Sequence, residues 1–313
     1  MKKVIIAMFA IIVFLMMFSC KKSSPTAVAT PATNVFIKQW GSNGGGDGQF
    51  AYPYGIATDS SGNVYVSDYE NSRVQKFTSD GTFISKFGSI GTADGQFEGC
   101  DGIALDNLGN IYVADSLGRI EKFDNSGTFI TKWGSWGIGT GQFESPEGIA
   151  IDSSNNIYVA DTWNNRIQKF SDTGTLITQW GSSGTGNGQF NWPYGIAADG
   201  SGNIFVTDSN NSRIQKFSST GTYITQWGSL GTGDGQFNCP LALALDSSGN
   251  VYVSDQKNYR VEKFSNSGTY LKQWGKYGTS GGNFNCPQGI AVDKDGNVYL
   301  VDYLNNSILK FGP

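Results

Sequence analysis

GIAIDSSNNIYVADTWNNRIQKFSDTGTLITQWG, residues 148–181, decides the fold. Four runs within it, GIAID, NIYVA, RIQKF and TLITQW, are rich in the β-branched and aromatic residues that suit a pleated, half-buried surface. DSSNN, DTWNN and SDTG separate them, and such clusters of Asp, Asn, Ser, Thr and Gly close tight turns. The unit recurs, its first residue falling at Gly55, Gly102, Gly148, Gly195, Ala242 and Gly289, at spacings of 47, 46, 47, 47 and 47. A period in the forties with four strands per unit predicts a β-propeller.

The last copy is short. After GIAVD, NVYLVD and SILKF the chain ends at Gly312-Pro313 without a fourth strand. The matching piece stands at the other end of the array, where VFIKQWG (35–41) parallels TYITQWG (222–228). The expected fold is therefore all-β, a six-bladed propeller of four-stranded blades filling residues 35–313. Its sixth blade is closed by the N-terminal strand, which removes the edge an open array would expose.

Residues 1–19 read as a signal segment. Lys2 and Lys3 precede an apolar run from Val4 to Phe18, and the small Ser19 stands before Cys20. Met17-Phe18-Ser19-Cys20 resembles a bacterial lipobox, which implies lipidation of Cys20 and export to the cell envelope. Residues 20–34, dominated by Ser, Thr, Ala and Pro, read as a tether of ~45 Å reach when extended. The membrane is expected to be met only through this anchor. Losing residues 1–19 removes two lysines and no acid, moving the net charge from −4 to −6. A mildly acidic domain with no basic block argues against a nucleic-acid partner. Cys100, Cys239 and Cys286 remain; Cys239 and Cys286 hold equivalent places in adjacent blades, too far apart for a bridge.

Repetition separates structural jobs from functional ones. All five arginines, Arg73, Arg119, Arg166, Arg213 and Arg260, follow Asp68, Asp115, Asp161, Asp208 and Asp255 by four or five residues. Present in five blades, the pairs read as Asp–Arg loop locks. The sixth blade keeps Asp302 but has Ser307 in the arginine's place. Asp293-Lys294-Asp295-Gly296-Asn297 supplies two carboxylates, too few for a calcium loop. The other blades make the same turn, and the glycine-rich GTGDGQF-type segments read as connecting loops.

The run D-x-x-N-N-R-I-Q-K-F, preceded by G-I-A-x-D-x-x-G-N-x-Y-V, resembles the NHL repeat over residues 35–313. The resemblance implies a six-bladed propeller used mostly as a recognition surface. The chain has no histidine. The zinc-dependent amidating lyases and streptogramin-inactivating lyases that resemble this repeat lean on histidines, so neither mechanism carries over. No catalytic residue, metal site or cofactor is expected. The expected function is non-catalytic binding of a protein, peptide or glycan by a monomer. The alternatives are a divalent-metal-dependent lactonase- or lyase-like enzyme and a structural envelope module.

What varies between copies points to the ligand site. Just before each first strand stand Tyr54, Asp101, Glu147, Tyr194, Leu241 and Gln288. Two places earlier, blades one and four carry Tyr52 and Trp192. The loops between second and third strands add Tyr69, Trp163 and Tyr303 on the same face. These eleven residues form the expected binding face. Aromatic rings lie across the opening, acids on the side of blades two and three, and an elongated ligand runs from blade one to blade four.

Overall fold

A computed structural model describes residues 34–313; the expected signal segment, the expected lipidation site Cys20 and the expected tether up to residue 33 lie outside the described residues. Twenty-four strands form six antiparallel four-stranded sheets. In the third blade Pro146–Ile151, Ile157–Asp161, Arg166–Phe170 and Leu176–Trp180 pair in chain order. The second strand is buried along its whole length, because neighbouring blades cover both its faces. The outer strand alternates half-buried and exposed, as a strand with one wet face must.

The sixth sheet runs Pro287–Val292, Val298–Asp302, Ser307–Phe311 and then Phe36–Trp40, with Trp40 opposite Ile308 and Phe36 opposite Phe311. The N-terminal strand closes the ring. Trp40 then covers the next blade: a Cβ on Gly81, whose φ is +82°, would lie 2.6 Å from its indole. Its ring also packs 6.2 Å from Phe77 of blade one and 6.3 Å from Tyr299 of blade six. Each outer-strand aromatic thus belongs to the core between two blades. A lysine adds a second tie. Lys310 Nζ sits 5.2 Å from the Tyr299 ring centre and donates to Ser79 O of blade one at 2.9 Å.

The glycine-rich loops are held by the locks. Asp68 is fully buried and accepts from Arg73 Nε at 2.8 Å and from Ala51 N at 2.7 Å. The guanidinium then donates to Gly45 O, Gly46 O and Gln49 O at 2.8–2.9 Å, gathering carbonyls that no strand would satisfy. The other four Asp–Arg pairs meet at 2.7–2.9 Å. Blade six substitutes a weaker tie, Gln39 Nε2 donating to Ser307 Oγ at 2.8 Å. The phenylalanine ending each loop, such as Phe50 or Phe143, is wholly buried.

The axis is the tightest place. A Cβ on Gly148 would lie 2.2 Å from Tyr194 O of the next blade, so glycine there permits a backbone-to-backbone approach. Ala242 is the one equivalent residue with a side chain. The remaining space is a channel of about 80 Å³, lined by the inner-strand glycines and by Ile56, Ile103, Ile149, Ile196, Leu243 and Ile290.

Deleting Val35 to Trp40 leaves blade six three-stranded and uncovers Gly81 and Phe77. The expected loss is several kcal/mol out of a typical total of ~5–15 kcal/mol. An unchanged urea midpoint for the truncated protein refutes closure by this strand.

Blades two and five place a glutamate where blade three has Gln168, whose amide donates to Gln142 O at 2.7 Å and to Asp161 Oδ2 at 3.0 Å. An ionised carboxylate cannot donate. Burial pushes Glu121 up to about 7 and Glu262 up to about 8, against the opposing charges of Arg119 and Arg260. Both folded values exceed the unfolded one of about 4.3, so their contribution is fully present below that pH and is lost as pH rises through 7 and 8. Glu121→Gln with Glu262→Gln should therefore raise the urea midpoint more at about pH 9 than at about pH 5. An equal gain at both pH values contradicts the assignment.

Candidate functional site

The close approach at the axis decides where the six residues before the inner-strand glycines go. Their carbonyls abut the neighbouring blade, and the side chains of Tyr54, Glu147, Tyr194 and Gln288 line the channel. Tyr54 of blade one and Tyr194 of blade four meet over the axis, ring centres 6.0 Å apart and 34° from parallel. Tyr69 packs against Tyr54 at 5.9 Å, and Tyr303 meets it edge-on at 6.4 Å. Tyr52 lies 4.9 Å from Tyr303. Five tyrosines from blades one, four and six therefore roof the channel. A Cβ on Gly99 would strike the Tyr69 ring at 2.7 Å, which explains the glycine in blade two where other blades carry larger residues.

The acids lie under this roof. Glu147 accepts from the Tyr54 hydroxyl and from Ser145 Oγ at 2.6 Å. Asp101 accepts from Ser116 Oγ at 2.8 Å. Both are buried. Burial pushes Glu147 up to about 7, and burial together with the charge of Glu147 holds Asp101 well above the usual carboxylate range. The pair keeps a proton toward neutral pH, so the acidic side of the rim carries less charge than its composition suggests. Opposite it, Gln288 Nε2 donates to Tyr194 OH at 2.8 Å, and Leu241 is buried beside the mouth. Trp163 and Trp192 stand apart from this cluster at the junction of blades three and four, stacked at 6.0 Å and 15°.

Sequence reasoning did not single out four supporting residues. Ser116 and Ser145 hold the two carboxyls. Asn165 and Asn306 accept from the backbone N–H groups of Trp192 at 2.9 Å and Tyr52 at 2.8 Å. The signal was present: Asn occupies that repeat position only ahead of the two blades with an aromatic residue to hold, whereas the other blades have Ser72, Gly118, Ser212 and Tyr259. Trp192 and Tyr52 sit at φ +61° and +54°, a conformation bulky residues adopt rarely.

The mouth does not fit a divalent cation. Both Glu147 oxygens already accept from hydroxyls, and among the described residues no three His, Cys, Asp or Glu side chains converge. Asp293 is likewise committed, to Asp295 N, Asn297 N, Asn297 Nδ2 and Tyr299 OH at 2.8–3.1 Å. That loop is a turn.

The NHL-repeat family model matches residues 50–77, 143–170, 190–217, 237–264 and 284–311. The chain is an NHL-repeat propeller. Blade two lies outside the matched segments; its lock loop is one residue shorter, with Arg119 four residues after Asp115 rather than five. No curated protein matches the sequence. A solved protein of unknown function from Bacteroides thetaiotaomicron is similar with TM-score 0.69 and 21% identity, over 88% of this chain and 76% of that one. A streptogramin B lyase is similar with TM-score 0.59 and 18% identity, over 83% and 93%. A gluconolactonase from Xanthomonas campestris gives 0.62 and 15%, over 85% and 88%.

These identities establish a shared fold. They also correct the expectation that this NHL propeller is not an enzyme, because propellers of the same architecture include a lyase and a lactonase. The absence of histidine removes particular mechanisms and leaves carboxyl-based chemistry open.

Proposed function

We propose that this NHL propeller is an exported, lipid-anchored monomer that takes a protein, peptide or glycan ligand across its channel mouth. The observation that supports this most is the aromatic band. Tyr194, Tyr54, Tyr303 and Tyr52 run in sequence from blade four to blade one through successive ring separations of 6.0, 6.4 and 4.9 Å. The Trp163–Trp192 stack stands on the blade-four side. Tyr54 and Tyr303 are buried and back the band, while the half-buried Tyr52, Tyr194, Trp163 and Trp192 offer stiff, amphipathic surfaces that are covered at small entropic cost. The locks, loops and outer-strand aromatics recur around the ring, whereas this band occurs once.

The test is a hydrogen-exchange footprint taken with panels of envelope peptides and oligosaccharides. Protection is expected in the loops carrying Tyr52, Tyr69, Trp163, Trp192 and Tyr303, and Trp192→Ala should weaken binding by about tenfold or more. Protection confined to the opposite face, around the turns of Asp59 and Asp152, overturns the proposal.

Glu147 supports a second reading, lactonase- or lyase-like turnover at the same mouth. A carboxyl near 7, bonded to a tyrosine hydroxyl and lining a channel, has the poise that general acid–base catalysis requires. Hydrolysis of a lactone probe should then show a pH–rate limb near 7 that Glu147→Gln removes. A limb that survives the substitution assigns the proton transfer elsewhere.

A further inference from the structure

The mouth has an approximate twofold plan. The junctions of blades three and four and of blades six and one are opposite each other in a ring of six. Each carries the same device: an aromatic residue at positive φ, its N–H held by an asparagine of the preceding blade, its ring paired with one from that blade's lock loop. The pairs are Trp192 with Trp163 and Tyr52 with Tyr303. Tyr194 and Tyr54, each two residues further along, meet between them over the axis. The left-handed backbone is common to the repeat, since Ser145 and Cys239 share it. What distinguishes these two junctions is a large flat ring placed there, with an asparagine to fix it.

We infer that the ligand is a linear oligosaccharide, lying along this band with sugar rings on the Trp163–Trp192 pair and on Tyr52, which the buried Tyr303 backs. The inference rests on the reading of the mouth as the ligand face. Three observations favour a saccharide over a peptide.

The first is the backbone. The mouth loops spend their polar groups on one another: Ser116 N donates to Gly99 O, Thr162 N to Ser145 O, Ser209 N to Trp192 O, Gln256 N to Cys239 O and Tyr303 N to Cys286 O, at 3.0–3.2 Å. A peptide that adds as a strand finds no ladder to extend.

The second is charge. Glu147 and Asp101 are buried and bonded to hydroxyls, and every arginine of the chain serves a lock. Among the described residues Glu147 is then the one carboxyl lining the channel, and the remaining fixed charge of the mouth loops, Glu70, Glu98, Glu144 and Lys257, stands outside that lining.

The third is chemistry. A pyranose presents a C–H face to the negative face of an aromatic ring and hydroxyls around its edge. The Tyr54 hydroxyl, which donates to Glu147, can still accept, and the Tyr194 hydroxyl, which accepts from Gln288, can still donate, which matches hydroxyl partners.

The experiment titrates the mature lipoprotein in detergent with linear gluco-, manno- and N-acetylglucosamine oligomers, from monomer to hexamer, following tryptophan fluorescence and calorimetric heat. Oligolysine is the peptide control. Affinity is expected to rise by about tenfold or more between the disaccharide and oligomers that reach both aromatic pairs, and Trp192→Ala and Tyr52→Ala should each remove most of that gain. Asn165→Ser, which installs the residue found in blades one and four, should weaken long oligomers severalfold by releasing Trp192, with a cooperative urea transition retained. Equal affinity at all lengths, or no response to any saccharide, overturns the inference. If oligolysine alone protects the mouth loops in hydrogen exchange, the saccharide identity falls and the ligand face stands. Protection on the far face alone removes both.

Discussion

The structure depends on six backbones coming almost into contact around one axis. At Gly148 the carbonyl of Tyr194 occupies the place a side chain would need, and Gly102 meets Glu147 O in the same way. This approach makes the channel narrow. It also places the residue before each glycine at the mouth, whatever its chemistry. The fold thus offers six positions whose side chains converge without any being needed for packing further out. In this chain they hold two tyrosines, two acids, a leucine and a glutamine.

The outer structure consumes most of the remaining polar chemistry. The arginines are fixed in the locks, where each joins a fully buried aspartate to the carbonyls of a glycine-rich loop. A buried pair of this kind is weak evidence for net stability, but losing one partner leaves a charge and several carbonyls unsatisfied. The inner lysines are spent between blades, Lys169 reaching Ser219 O and Lys310 reaching Ser79 O. The channel lining is left with the Glu147 carboxyl, tyrosine hydroxyls and the Gln288 amide, and no arginine.

Most of the fold was legible in the sequence because a propeller writes its period directly. The spacing of Gly55, Gly102, Gly148, Gly195, Ala242 and Gly289 counts the blades, and VFIKQWG supplies the strand missing after SILKF. The residues of the mouth were legible too, since variation at a fixed repeat position marks them. Their arrangement was not. Asp101 and Glu147 read as rim charges, and only the Tyr54 hydroxyl arriving from two blades away shows Glu147 to be covered. Such a contact joins residues 93 apart through the ring, and no local pattern encodes it. Asn165 and Asn306 were hidden for a different reason: within D-x-x-N-N-R they look like ordinary turn residues, and their work on Trp192 and Tyr52 is visible only across a blade boundary.

In a histidine-free chain, proton exchange near neutral pH has to come from burial. Four carboxyls are pushed into the range from about 6 to about 8: Glu121, Glu147, Asp255 and Glu262. Three of them belong to the locks of blades two and five, where the neighbouring arginine and loop backbone fill their surroundings. Their displaced values are a consequence of packing, and nothing outside the fold can reach them. Glu147 differs in position, because it lines the channel beneath rings that meet only edge to edge or at an angle. It accepts from the hydroxyl of Tyr54, whose own ring is part of the aromatic band. Any movement of Tyr54 therefore changes the hydrogen bonding of Glu147, which ties the packing of the roof to protonation beneath it.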